Sequence, residues 1–229
     1  MDSFRPKTAA TAYELATTQH PNPLVRFSHR RRSGLAAKLA AEHLPKGGAF
    51  LDFGAGEGAI LHTIGDMRPD VQLAGVEPFA AVDSYRCFAH AADVVGQFDV
   101  ISSFEVLEHM DDREEFFGLL TSVLKPGGVV IVSVPNMLGP IIIPKALNAI
   151  RTKASWRYSA AEMVRAAFIL RSPSRGRSQN FYNHRGFDWR DVRRRIAAEF
   201  TIIDEFSAPF RHLPWWMNSQ WFCVFGKSK

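Results

Sequence analysis

Cysteine and long apolar runs are both scarce in this sequence of 229 residues. The two cysteines, Cys87 and Cys223, are far apart and provide neither a disulfide framework nor a metal-ligand spacing. No run reaches the roughly 18 apolar residues of a membrane span, and the best candidate, 129–143, is interrupted by Pro135 and Pro140. Residues 1–10 also lack the apolar core of a secretory signal. We therefore expect a protein of the reducing cytoplasm with no transmembrane segment.

The remaining composition fits a globular α/β protein that buries a substantial core, with 46% hydrophobic and 22% charged residues. The net charge is +5, and arginines cluster at 30–32, 171–177 and 193–195. These clusters are either solvated helix faces or contacts for an anionic substrate or surface, such as a phosphate, a nucleic acid or a lipid head group. No aromatic-plus-basic nucleic-acid motif accompanies them.

An apolar strand that runs into alternating glycines is the most informative stretch of the chain. Gly54, Gly56 and Gly58 follow this strand and precede a helix, and Asp52 lies at the strand end. Glycine permits a tight turn and lets a ligand lie against bare backbone, while the helix N-terminus offers free N–H groups. The carboxylate of Asp52 suits an ammonium or sulfonium centre better than a pyrophosphate. A plain strand-turn-helix and a nicotinamide site, through a loose G-x-G-x-x-A ending at Ala59, are the alternatives.

This stretch resembles the first motif of the class I S-adenosylmethionine (SAM)-dependent methyltransferases, an acidic residue followed by G-x-G-x-G. The motif Lys125-Pro126-Gly127-Gly128 before the apolar strand 129–134 is similar to a second hallmark of that family. The proline and glycines end the preceding helix and allow a sharp turn into a buried strand. A dinucleotide-binding enzyme does not need such a turn at this point. The resemblance implies SAM as the cofactor, bound by the loop residues Asp52, Phe53, Gly54, Ala55, Gly56 and Gly58.

Three further residues complete the predicted cofactor site. Glu77 follows the predicted strand 71–76, at the distance from Gly58 at which an acidic residue meets a ribose diol. Alternatively, Glu77 is only a solvated acid at the end of a strand. The resemblance implies that Asp93 contacts the adenine amino group. Ser103 follows the predicted fourth strand, 98–102, on the ligand side of the sheet.

Residues Glu105, Glu108 and His109 form the candidate chemical centre. If a helical turn starts there, they lie on one face and can bind a divalent ion, Mg²⁺ or Mn²⁺. The run is similar to the Glu-x-x-Glu-His of small-RNA 2′-O-methyltransferases and ubiquinone-biosynthesis O-methyltransferases, where it holds a metal that binds the acceptor hydroxyls. In that resemblance His184 supplies another ligand, although its stretch carries one inserted residue. There are two alternatives. Either the acids only favour a helix N-terminus, or His109 acts as a general base without a metal. Glu105 is the second candidate catalytic residue.

The family resemblance predicts a Rossmann-like seven-stranded sheet, mostly parallel with an antiparallel end, and helices on both faces. We expect one domain over 1–229, with an N-terminal helical lead over 1–44 and a helical lid over 137–180. An apolar stripe in the lid either packs in the core or docks on a membrane surface or partner. Its residues are Met163, Ala166, Ala167 and Leu170.

The predicted activity is methyl transfer from SAM to a hydroxyl of a small metabolite or sugar in a biosynthetic pathway, by in-line displacement. Two alternatives remain open. One is an RNA 2′-O-methyltransferase that uses the basic clusters. The other is a non-catalytic SAM-binding partner subunit. The sequence leaves the oligomeric state undetermined.

Overall fold

The computed structural model describes residues 23–78, 84–110, 112–151, 158–173 and 186–227. The strands within them are β1 (Ala49–Phe53), β2 (Gln72–Val76), β3 (Arg86–Phe88), β4 (Phe98–Phe104), β5 (Leu124–Pro135), β6 (Thr201–Ala208) and β7 (Gln220–Gly226). The α-helices are α1 (Pro23–His43), α2 (Ala59–Met67), α3 (Glu114–Val123), α4 (Ile142–Arg151), α5 (Ala160–Val164) and α6 (Trp189–Glu199). Short 3₁₀ turns occur at Ala91–Asp93 and Trp215–Met217, and a π-helical turn, Arg165–Ile169, follows α5.

The seven strands form one mixed sheet in the order β3-β2-β1-β4-β5-β7-β6. Strand β1 pairs in parallel with β2 and β4, and β2 pairs in parallel with β3. Strand β7 lies between β5 and β6 and is antiparallel to both. This topology, with helices around the sheet, confirms the predicted fold class.

The chain divides into two compact units: Met1–Ser102 with Gly118–Lys125, and Ser103–Phe117 with Pro126–Lys229. In the first unit α1 packs against α2. The guanidinium of Arg68, just after α2, donates to the carbonyls of Ala41, Leu44 and Pro45 and so caps the end of α1. Buried side chains of β1, α2 and β4 form the core, chiefly Phe50, Leu51, Leu61, Ile64 and Ile101.

The core of the second unit is rich in phenylalanine. Phe222 on β7 stacks on Phe206 of β6, with ring centroids 5.2 Å apart. Phe200, at the end of α6, makes an edge contact with Phe225. Burial of such large side chains on both faces explains why β7 reads as a continuous apolar run.

Several boundaries of helices and strands differ from those predicted from the sequence. Strand β5 begins at Leu124 and includes the Lys-Pro-Gly-Gly motif, so the predicted start at residue 129 is five residues late. A three-residue β3 and a 3₁₀ turn precede β4 in the described residues. The described part of the predicted lid consists of α4, α5 and the π-helical turn, and that of the N-terminal lead is α1. In the described residues, no helix is long and apolar enough to cross a membrane.

Candidate functional site

The glycine loop between β1 and α2 requires glycine for a conformational reason. Gly54, Gly56 and Gly58 have φ angles of 82°, 54° and 81°, in the left-handed region that a Cβ disfavours. Gly58 is the N-cap of α2, and its carbonyl accepts the first helical hydrogen bond, from His62. Alternating glycines thus allow the chain to turn from strand to helix within a few residues.

Hydrogen bonds that the loop donates to the end of β2 and to Glu77 hold the loop in place. The N–H groups of Gly54 and Ala55 both donate to the carbonyl of Val76, at 2.8 and 3.1 Å. The N–H of Gly56 donates to Oε2 of Glu77 at 2.9 Å. The acid predicted to bind a ribose therefore lies beside the loop and contacts its backbone.

Asp52 is a buried carboxyl group at the end of β1, with 3% of its surface exposed. Its Oδ1 accepts a hydrogen bond of 2.6 Å from Ser102 Oγ on the neighbouring strand β4. Burial raises the pKa of Asp52 to about 7, helped by the negative charge of Glu77 and opposed by the Ser102 hydrogen bond. The group is therefore poised to change its protonation when a cation binds nearby.

The other two predicted cofactor residues lie in different environments. Asp93 is exposed at the end of a 3₁₀ turn, where its N–H donates to the carbonyl of His90. Ser103 is buried inside β4 rather than beyond its end, because the strand continues to Phe104. Its Oγ has no hydrogen-bond partner within the described part of the chain.

The residues after β4 do not begin a helix, so the predicted helical spacing of Glu105, Glu108 and His109 is wrong. Glu105 adopts a left-handed conformation with φ 59°, and its N–H donates to the carbonyl of Ser133 on β5. This bond pulls the chain away from a helical path, and α3 starts only at Glu114. A single turn follows, closed by the His109 N–H and the carbonyl of Val106.

This turn brings Glu108 and His109 together without Glu105. The Glu108 side chain is fully buried, and its Oε1 lies 3.8 Å from Nε2 of His109, whose side chain is 30% exposed. Oε1 of Glu105 instead accepts a long hydrogen bond of 3.4 Å from Ser133 Oγ. The turn therefore presents an accessible imidazole beside a buried carboxyl group.

Comparison with known proteins assigns the family. A family model described as a methyltransferase domain matches residues 27–190. The chain belongs to this methyltransferase family. It is similar to the ubiquinone biosynthesis O-methyltransferase of Bradyrhizobium sp. (strain ORS 278), with 30% identity over 143 residues, 56% of this chain and 49% of that protein. The chain spans about half the length of the curated relatives it matches.

Solved structures agree on the fold of this family member. It is similar to an S-adenosylmethionine-dependent methyltransferase from Clostridium acetobutylicum ATCC 824, with a TM-score of 0.58, 12% identity and coverage of 96% of this chain and 98% of that chain. It is also similar to the N-methyltransferase NodS from Bradyrhizobium japonicum WM9 in complex with S-adenosyl-l-homocysteine (SAH). There the TM-score is 0.56 at 13% identity, over 95% and 96% of the two chains. The class I SAM-dependent methyltransferase fold is thereby established.

The metal site implied by the Glu-x-x-Glu-His resemblance does not fit the described side chains. Among the residues that the structure describes, no three His, Cys, Asp or Glu side chains are grouped so as to hold a metal ion. Glu105 points its Oε1 to Ser133, and the Glu108 carboxylate is buried. His184 lies outside the described residues, so its role stays a prediction.

Two supporting residues of this family member carry no sequence signal. Ser102, within an apolar strand, contacts the buried carboxyl of Asp52. Arg113 donates from Nε to the carbonyl of Leu107 at 2.8 Å, and its guanidinium lies over the ring of Phe187. Arg113 thus braces the turn that carries His109. Only the tertiary structure shows either contact, because each partner is distant in sequence or in a loop of irregular conformation.

Proposed function

We propose that this chain binds SAM and transfers its methyl group to a hydroxyl of a small acceptor. The observation that carries the proposal is the glycine loop, with three left-handed glycines between the buried Asp52 and Glu77. The similarity to a ubiquinone biosynthesis O-methyltransferase supports oxygen as the accepting atom. The binding of SAH by NodS, which shares the fold, supports the cofactor.

The loop residues suit the parts of SAM by charge and shape. In this proposal the bare backbone at Gly54 and Gly56 lies against the cofactor, and Glu77 accepts the ribose hydroxyls. Asp52 supplies negative charge to the cationic end of SAM, and a buried carboxylate does so strongly because little water screens it. Asp93 remains the proposed contact to the adenine. Ser103, on β4, remains a further proposed cofactor contact.

Methyl transfer then needs an aligned acceptor and a group to take its proton. The acceptor oxygen attacks the methyl carbon, the carbon–sulfur bond breaks with its electron pair going to sulfur, and SAH leaves. We assign proton removal to His109, whose Nε2 lies 3.8 Å from Oε1 of the buried Glu108. Glu105, beside the same turn, remains a proposed catalytic residue. SAM already carries an excellent leaving group, so alignment and proton transfer are the main tasks of the protein.

Calorimetric titration with SAM and with SAH tests the cofactor assignment. Glu77→Gln should weaken binding of both ligands, because a neutral amide accepts hydroxyl hydrogen bonds less well and no longer anchors the loop as strongly. Glu57→Gln is the matched control, since Glu57 is an exposed acid of the same loop. Failure of the wild-type protein to bind SAM would refute the proposal.

Methyl transfer to a panel of phenols, catechols and sugars tests the reaction. His109→Asn should lower kcat while leaving SAM affinity intact, whereas the exposed His212→Asn should change neither. The same assay with EDTA or added Mn²⁺, together with metal analysis and the Glu108→Ala variant, tests the metal hypothesis. Methylation of oligonucleotides in place of small acceptors would reassign the substrate to RNA, and full activity of His109→Asn would reject its role as base.

A further inference from the structure

The helices after β5 share one apolar core within the part of the chain that the structure describes. Helix α4 and the run formed by α5 and the π-helical turn are in contact within the second unit. Their shared core consists of the buried Met137, Leu138, Ile142, Tyr158, Ala166 and Ala167. Met163, Ala166 and Ala167 of the predicted apolar stripe therefore pack in the core. This confirms the core-packing interpretation for these three residues.

The opposite side of the same helices is also apolar. We define the outer face as Leu147, Ile150, Val164, Phe168 and Ile169, which are between 54% and 67% exposed. These five are nearly half of the eleven large apolar side chains exposed within the described residues, yet they fall between positions 142 and 169. Isolated exposed apolar residues are ordinary, but a concentration of this kind marks an interaction surface.

The stretch of sequence that contains the outer face is strongly basic. Residues 137–185 contain nine lysines and arginines and one acid, Glu162, so this stretch carries +8 while the whole chain carries +5. Arg165 and Arg171 are exposed on either side of Phe168 and Ile169. Glu162 is engaged in a capping box with Ser159 at the start of α5. No carboxylate elsewhere in the stretch offsets the arginines.

This pairing of apolar and cationic side chains decides between the candidate occupants. A second copy of the chain would place one strongly positive stretch against another, which costs free energy by repulsion. A lipid surface instead satisfies both features, since apolar side chains enter the acyl boundary and arginines pair with phosphates. No described helix is suited to cross the bilayer, so the contact would be confined to the interface.

We propose that the outer face docks this protein on membranes that contain anionic phospholipids. Helix α4 and the α5 run lie along the interface, with Phe168 and Ile169 inserted and Arg165 and Arg171 at the head groups. Acceptors that partition into lipid would then be met at the membrane surface. The docking itself requires neither SAM nor an acceptor, so it stands or fails independently of the proposed reaction.

Vesicle flotation of the full chain tests the proposal directly. Binding to phosphatidylcholine vesicles with about one-third phosphatidylglycerol should be strong at low salt and weak for pure phosphatidylcholine. The double variant Phe168→Ser/Ile169→Ser should reduce the partition coefficient by about tenfold or more, through lost apolar insertion. Arg165→Glu/Arg171→Glu should reduce it by a comparable factor and lower its salt dependence.

Matched controls separate these effects from general loss of charge or apolar surface. Ile203→Ser removes an apolar side chain that is 54% exposed on β6, and Lys38→Glu/Lys46→Glu changes the net charge as much as the arginine variant. Both should bind vesicles like the wild type. Circular dichroism verifies that each variant is folded. Equal binding by all variants, no binding to anionic vesicles, or dimerisation in sedimentation that Phe168→Ser/Ile169→Ser abolishes would overturn the proposal.

Discussion

Replacing the buried Asp52 by asparagine should make the stability of the protein less sensitive to a rise in pH between about pH 4 and about pH 7. Burial raises the pKa of Asp52 to about 7 from its ordinary value of 3.8, although the hydrogen bond from Ser102 opposes this rise. Asparagine has nearly the same shape as the protonated carboxyl group and still offers an oxygen to the Ser102 hydroxyl. The substitution therefore removes the ionisation with little change in packing.

The sign and size of the effect follow from proton linkage. Because the folded pKa is higher than the unfolded one, the folded protein keeps a proton that the unfolded chain has released between about pH 4 and about pH 7. The stabilisation from this group is full below about pH 4 and is lost as the pH rises through about 7. The free energy of unfolding changes by about 1.4 kcal/mol for each pH unit up to the folded pKa. Between about pH 5 and about pH 8, the free energy of unfolding of the wild type should therefore fall by about 3 kcal/mol relative to that of Asp52→Asn.

Urea unfolding at several pH values measures this difference. Circular dichroism is the better probe, because all five tryptophans lie in the second unit and Asp52 lies in the first. Asp99→Asn is the control, since the hydrogen bonds from Lys125 and the Ala49 N–H leave the pKa of Asp99 lowered despite its partial burial. Its destabilisation should not vary between about pH 5 and about pH 8. A constant difference between wild type and Asp52→Asn over this range would refute the reasoning.

Three other variants or conditions test the site and its surroundings. Gly75→Ala would place a methyl group 2.8 Å from the Cβ of Ala55, so it should lower stability in urea and weaken SAM binding by about tenfold. Gly118→Ala, exposed within α3 and free of neighbours within 4 Å, should stabilise by about 0.5–1 kcal/mol. SAM affinity should rise between about pH 5.5 and about pH 7.5, more than SAH affinity, because Asp52 must lose its proton to attract the sulfonium.

Each of these outcomes has a clear contradiction. A Gly75→Ala protein with unchanged SAM affinity would show that the glycine loop tolerates displacement by β2. A Gly118→Ala protein less stable than wild type would contradict the assigned helical environment. Equal pH dependence for SAM and SAH would show that the charge of Asp52 does not face the sulfonium.

Local sequence was sufficient for the backbone of the glycine loop and for much of the sheet. Alternating glycines permit left-handed φ angles that other residues resist, so Gly54, Gly56 and Gly58 predict a tight turn without reference to distant contacts. The apolar strands β1, β4 and β7 were likewise readable, because strands buried on both faces need continuous apolar residues.

The sequence by itself therefore determined the fold family and the loop that is proposed to bind SAM, since both depend on residues adjacent in the chain. The tertiary structure decided the conformation of Glu105, because a hydrogen bond to Ser133 on another strand competes with helix formation. It also decided the pKa of Asp52, which burial raises and the hydrogen bond from Ser102, 50 residues away, partly lowers. In the α5 run it separated buried Ala166 and Ala167 from exposed Phe168 and Ile169, because only the position of α4 defines which side of that run is inside.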